Sequence, residues 1–96
     1  MSNFSAQEVL NQLGGRKFMA MTGAKSFTKD ENSITFKLPR AKSGIRIVRI
    51  SLTEMDTYNM EFLTMSGKVV KKVEDVYNDN LQRIFTANTG LQTRLG

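Results

Sequence analysis

The segment from residue 33 to residue 65 constrains the fold most. "SITFKLP", "IRIVRISLT" and "TYNMEFLTM" are three runs of alternating apolar residues, separated only by "RAKSG" and "EMD". Side chains of a strand point alternately to opposite faces, so a period of two makes each run a strand with one greasy side. Connections this short cannot hold a crossover, and consecutive strands must therefore run antiparallel. In the first run Ile34, Phe36 and Leu38 share the inward phase, and Pro39 ends it because it has no N–H for the ladder. The second run slips. Ile45 and Ile47 take one phase, whereas Val48, Ile50 and Leu52 take the other, so either a bulge sits near Ile47-Val48 or both faces are covered. In the third, Tyr58, Met60 and Phe62 fall on one face. "KDENS" reads as a hairpin tip before the first run, and "SGK" as a turn leading to a short strand in "KVVKK".

A sheet with one apolar face needs a cover. "FSAQEVLNQLGG" supplies one short helix with both ends written in: Ser5 as N-cap, Glu8 three residues on, and Gly14 as the stop. Phe4 and Val9 are spaced for a hydrophobic staple across that cap. From Val73 the period reads as 3.6, with Val73, Val76, Tyr77, Leu81, Ile84 and Phe85 on one helical face and Gly90 at the end. The tail "LQTRLG" brings Leu91 and Leu95 back onto the core or frays.

"GGRKFMAMTGAKSF", Gly14 to Phe27, resembles a phosphate cradle at first sight. A P-loop needs G-x-x-x-x-G-K-[ST] between a strand and a helix; here Ala24 separates Gly23 from Lys25. The stretch reads instead as a turn followed by a strand, with Phe18 and Ala20 on one side and Met19 and Met21 on the other. The expected fold is α+β: an antiparallel four- to five-stranded meander flanked by a short N-terminal helix and a C-terminal helix packed on one face. At 96 residues it forms one domain. The expected helices span about 5–13 and 73–89, and the strands about 16–22, 33–38, 45–53, 57–65 and 68–72.

With no cysteine and no histidine, disulfides, thiolate or imidazole zinc sites and imidazole-based triads are excluded. Only carboxylates are left as acids or bases near neutral pH, and no two of them pair on an apolar face, where burial would tune a pKa. We therefore expect no catalytic residue, no metal and no cofactor. The N-terminus lacks the basic and apolar segments of a secretory signal, and no apolar run is long enough for a membrane span. A soluble, intracellular chain is expected.

Charge placement is informative. Residues 16–49 hold nine basic side chains against Asp30 and Glu31, a net +7 within a chain of net +5. Lys25, Lys37, Arg40, Lys42, Arg46 and Arg49 are the candidate contact residues of a basic surface. No RNP-like, KH-like, helix-turn-helix or zinc-finger pattern accompanies them, and Phe27 is the one ring free to act as a stacking platform. Met19 and Met21, if they lie on the open face with Leu63 and Met65, add an adaptable protein-binding strip; if the phase is reversed, they are buried.

The blocks "GGRKFMAMTGAKSF…ITFKLPR", "LTEMDTYNMEF" and "EDVYNDNLQRIFTANTGLQTRL" resemble a family of small, uncharacterised proteins encoded by bacteriophages and prophages. The resemblance runs from Gly14 to Leu95 and is weakest over "AKSGIRIVRIS" and "LTMSGKVVKK". It brings no catalytic motif. What it implies is a protein of the bacterial host cytoplasm that binds a host or phage protein and so modulates or inhibits a host factor or defence system. The alternative is an accessory protein that binds DNA or RNA through the basic 37–49 region. No membrane partner is expected, and homodimerisation stays open.

Overall fold

The computed structural model describes residues 5–91. In chain order these form α1 (Ala6–Leu13), α2 (Gly15–Thr22), β1 (Lys25–Lys29), β2 (Ser33–Lys37), β3 (Ile47–Leu52), β4 (Tyr58–Leu63), β5 (Val69–Val76) and α3 (Leu81–Thr89). The strands make one five-stranded sheet in the order β1-β2-β3-β4-β5, with every neighbouring pair antiparallel. The fold is α+β, a meander.

All three helices cover the same face. Val9 and Leu13 of α1, Phe18 of α2, and Leu81 and Phe85 of α3 share a core with Ile34, Phe36, Val48, Ile50, Tyr58, Met60 and Phe62 of the sheet. Three rings sit at its centre. Phe18 meets Phe36 edge-on at 5.4 Å and Phe85 at 5.2 Å, and Phe36 lies 6.2 Å from Phe85. Such aromatic pairs add to their burial because the ring edge of one faces the negative face of another.

Ser5 caps α1, its Oγ accepting from the Glu8 amide at 3.2 Å. Phe4, the other half of the expected staple, lies outside the described residues, as does Leu95 of the tail. Leu91 packs against the core.

The expected strand over 16–22 is a helix. Phe18-Met19-Ala20-Met21 is apolar at every position, so it satisfies a period of two and a period of 3.6 equally. Arg, Lys, Met and Ala are strong helix formers, and no β-branched residue intervenes before Thr22. The helix runs to Gly23, whose φ of 74° is left-handed. There the Thr22 hydroxyl donates to the Phe18 carbonyl at 2.7 Å and accepts from the Ala24 amide at 3.2 Å. The end of α3 repeats this. Thr89 donates to the Phe85 carbonyl at 2.8 Å and accepts from the Leu91 amide at 3.2 Å, with Gly90 at φ 75°. "FMAMTG" and "FTANTG" are thus one device used twice: phenylalanine into the core, threonine hydroxyl onto its carbonyl, glycine to stop.

The first strand is instead Lys25–Lys29, with a bulge between Lys25 and Thr28 where Ser26 takes φ 58°. The second correction falls at the other end. Residues 73–76 continue β5, where Val73 pairs with Met60 and Val76 with Tyr58, rather than opening a helix. β-Branched valines suit a pleated surface, and Asn78-Asp79-Asn80 compete with helical backbone bonds, so the helix waits until Leu81. Tyr77, expected on the buried helical face, is 61% exposed. The phase slip in β3 is neither a bulge nor a doubly covered strand. β2 and β3 pair without interruption from Ser33–Ser51 to Lys37–Ile47; Ile45 is buried before the strand begins, and Ile47 lies half-buried on the other face.

Candidate functional site: the open face of the sheet

Register decides which side chains share the uncovered face. Opposed residues lie on the same side of a sheet, so the pairing extends a row across all five strands: Lys25, Lys37, Ile47, Leu63 and Val69. Beside it runs Thr28, Thr35, Arg49, Glu61 and Lys72. Lys25, Lys37, Arg49 and Lys72 are exposed, whereas Ile47, Leu63, Thr35 and Glu61 are half-buried by their neighbours. The result is a shallow apolar centre with cations around it. Lys25 and Lys37 face each other across β1 and β2, an arrangement that disfavours the pair until an anion or water screens it. Arg49, Glu61 and Lys72 alternate in sign across β3, β4 and β5.

Of the basic candidates, Lys25, Lys37 and Arg49 are brought together here. Arg40 is exposed in the β2–β3 connection, beyond the sheet. Lys42 lies in a single helical turn, Lys42–Gly44, with its aliphatic stem over Gly90 at the end of α3. A cation is favourable there, next to the helix's last carbonyls. Arg46 is tied to the backbone, its Nε donating to the Leu38 carbonyl at 3.1 Å. The position of each of these two follows from local structure.

The methionine strip does not form. Met19 and Met21 ride on α2, on the covered side of the sheet, so they cannot join Leu63 on the open face; Met19 packs against the core and Met21 is partly exposed. Phe27, the expected free ring, is half-buried against Phe36 at 5.3 Å. Phe27 therefore offers the open face no stacking platform, and the exposed ring among the described residues is Tyr77, at the end of β5. Leu63 lies on the open face, as its phase predicts, whereas Lys72 and Ile47 are not singled out in the sequence as surface candidates, because their membership depends on register between strands. The signal was their outward phase.

The few polar side chains of the described interior are satisfied within the fold. The buried hydroxyls of Thr22, Ser33, Thr57 and Thr89 all have hydrogen-bond partners, and no buried side-chain polar atom is orphaned among the described residues. Among those residues no group of acidic side chains is placed to hold a metal ion. Asp30 accepts from Ser33 at 3.4 Å and Asp75 from Thr57 at 3.4 Å, so both have structural partners. A shallow cleft between the start of α1 and the β1–β2 turn is lined by Ser5, Ala6, Gln7, Lys29, Asp30 and Glu31. No described helix is long and apolar enough to cross a membrane. Comparison with family models, curated proteins and solved structures finds no match to the chain.

Proposed function

We propose that this chain is a non-enzymatic protein-binding module whose open sheet face takes the acidic surface of a partner protein. The row Lys25–Lys37–Ile47–Leu63–Val69 carries the reading. Its two opposed lysines and its half-buried aliphatic centre match a partner with an apolar patch and acidic side chains beside it. Bound carboxylates would relieve the repulsion between Lys25 and Lys37, and Arg49 and Lys72 would flank the contact. The resemblance to bacteriophage-encoded proteins favours a bacterial host component as that partner, with modulation or inhibition of a host factor or defence system as the consequence.

Nucleic-acid binding through Lys37, Arg40 and Arg49 is the second reading, favoured by the local charge of residues 16–49. The inward placement of Phe27 and Phe36 weighs against it, since single-strand binders stack bases on exposed rings.

Affinity capture from a bacterial lysate, with and without nuclease, tests both. The first reading expects a defined protein complex that survives nuclease and is lost from a Lys37→Glu/Arg49→Glu variant. Capture of the same proteins by that variant would overturn it. Direct binding to DNA or RNA, weakening with salt and less steeply after Arg40→Ala, would establish the second reading instead.

A further inference from the structure

The two edges of the sheet are built differently. Three of the six exposed large hydrophobic side chains among the described residues sit on or beside β5: Val69 at 47%, Val70 at 39% and Tyr77 at 61%. The sequence there, "VVKKVEDVY" from Val69 to Tyr77, complements itself when laid antiparallel on another copy about Val73. Val73 then meets Val73, Lys72 meets Glu74, Lys71 meets Asp75, Val70 meets Val76, and Val69 meets Tyr77. In sequence every cation is matched to an acid and every apolar residue to an apolar one, and in the regular stretch of β5 the pair facing across the axis is Lys72 with Glu74. Moving the axis one residue either way sets Lys72 on Lys72 or Glu74 on Glu74.

We propose that two copies of this chain pair antiparallel through β5, with Val73 on the two-fold axis, joining two five-stranded sheets into one of ten strands. Such an interface is isologous, because each contact occurs twice by symmetry. Strand addition at a free edge supplies main-chain hydrogen bonds, and the side chains select the register. The second copy's Glu74 would extend the row Arg49–Glu61–Lys72 with another charge of alternating sign. Val73, partly buried against the core, would bring the two covered faces together at the axis. Bulges on β5 between Val73 and Val76, where Asp75 takes φ 57°, and between Val69 and Lys71 bound this window at both ends. The regular part of the pairing is therefore centred on Lys72–Glu74.

β1 lacks this property. Paired with itself about Phe27, "KSFTK" would bring Lys25 against Lys29, and Ser26 distorts the edge. β5 also carries lysines and bulges, which defend an edge against strand addition, but in its self-pairing Lys72 meets Glu74, whereas the lysines of β1 meet only each other. This inference does not depend on what the open face binds.

Sedimentation equilibrium over a concentration series, from about 1 μM to about 1 mM, tests it. The wild type should move from one chain mass to two. Lys72→Glu alone and Glu74→Lys alone should each weaken the dimer about tenfold or more, because each reversal creates two symmetry-related like-charge pairs. An equimolar mixture of the two single variants should dimerise as a heterodimer, and the double variant should dimerise with itself. A single chain mass for the wild type throughout would overturn the proposal. So would a dimer indifferent to both reversals, or a mixture that stays monomeric.

Discussion

β3 presents two faces to two different worlds. Val48 and Ile50 are fully buried beneath the helices, while Ile47 and Arg49, their neighbours in the chain, look out from the open side. On the covered face each side chain is held by others from distant elements, and the fold's stability resides there. On the open face side chains rest mainly on their cross-strand partners, so their identity is free to serve recognition. The contrast separates what keeps this chain folded from what it presents.

The strongest test of that division is truncation at the aromatic centre. Phe36→Ala or Phe85→Ala should each cost ~3–5 kcal/mol in urea unfolding, since neither ring is exposed at all. Against a total stability of ~5–15 kcal/mol this is a large fraction. A loss near zero would mean that the three-ring cluster does not hold the helices to the sheet.

A sharper version stays within one strand. Ile50→Ala should cost ~2–5 kcal/mol, as buried isoleucine truncations do. Ile47→Ala should cost ~1 kcal/mol or less, because only part of that side chain leaves water on folding. Equal losses would erase the distinction between the faces.

Tyr58 tests the covered face through pH. Burial raises its phenol pKa above the ordinary 10.0, and the Glu8 and Asp56 carboxylates push it the same way. The fold therefore prefers the neutral phenol. That contribution is complete below the ordinary value and is lost as pH rises through the higher folded value. Melting temperature followed from about pH 8 to about pH 11 should fall more steeply for the wild type than for Tyr58→Phe. Parallel curves would remove Tyr58 from the account.

The smallest effects belong to the open face. Lys37→Ala and Arg49→Ala should each change stability by no more than ~0.5 kcal/mol, the range for exposed sites free of buried partners. A loss of several times that size would show that these cations support the fold and are not free for a partner.

Much of this was legible in the residues. Ser5, Glu8 and Gly14 announced α1, and the alternation of Ile34, Phe36, Tyr58, Met60 and Phe62 gave the meander and its buried face. The stretch from Phe18 to Met21 misled because uniformly apolar residues have no period to read. The echo of "FMAMTG" in "FTANTG" was the usable signal, because both stretches close on a threonine and a glycine. Val73 and Val76 misled in the opposite direction, since a spacing of three fits a helix and also a strand interrupted by a bulge. The candidate surface was half legible. Charge density found Lys25, Lys37 and Arg49, but only pairing between strands could add Lys72 and set Lys42 and Arg46 apart as residues with local structural partners.

Gln82 donates to the Leu13 carbonyl at 3.0 Å, so the first and last helices are joined under the sheet. Both ends of the described chain are thereby moored on the underside, opposite Lys37 and Arg49. A fluorophore or bead attached at exposed Gln7 of α1 or Arg83 of α3 would hang from that underside and leave the cationic face turned away from it.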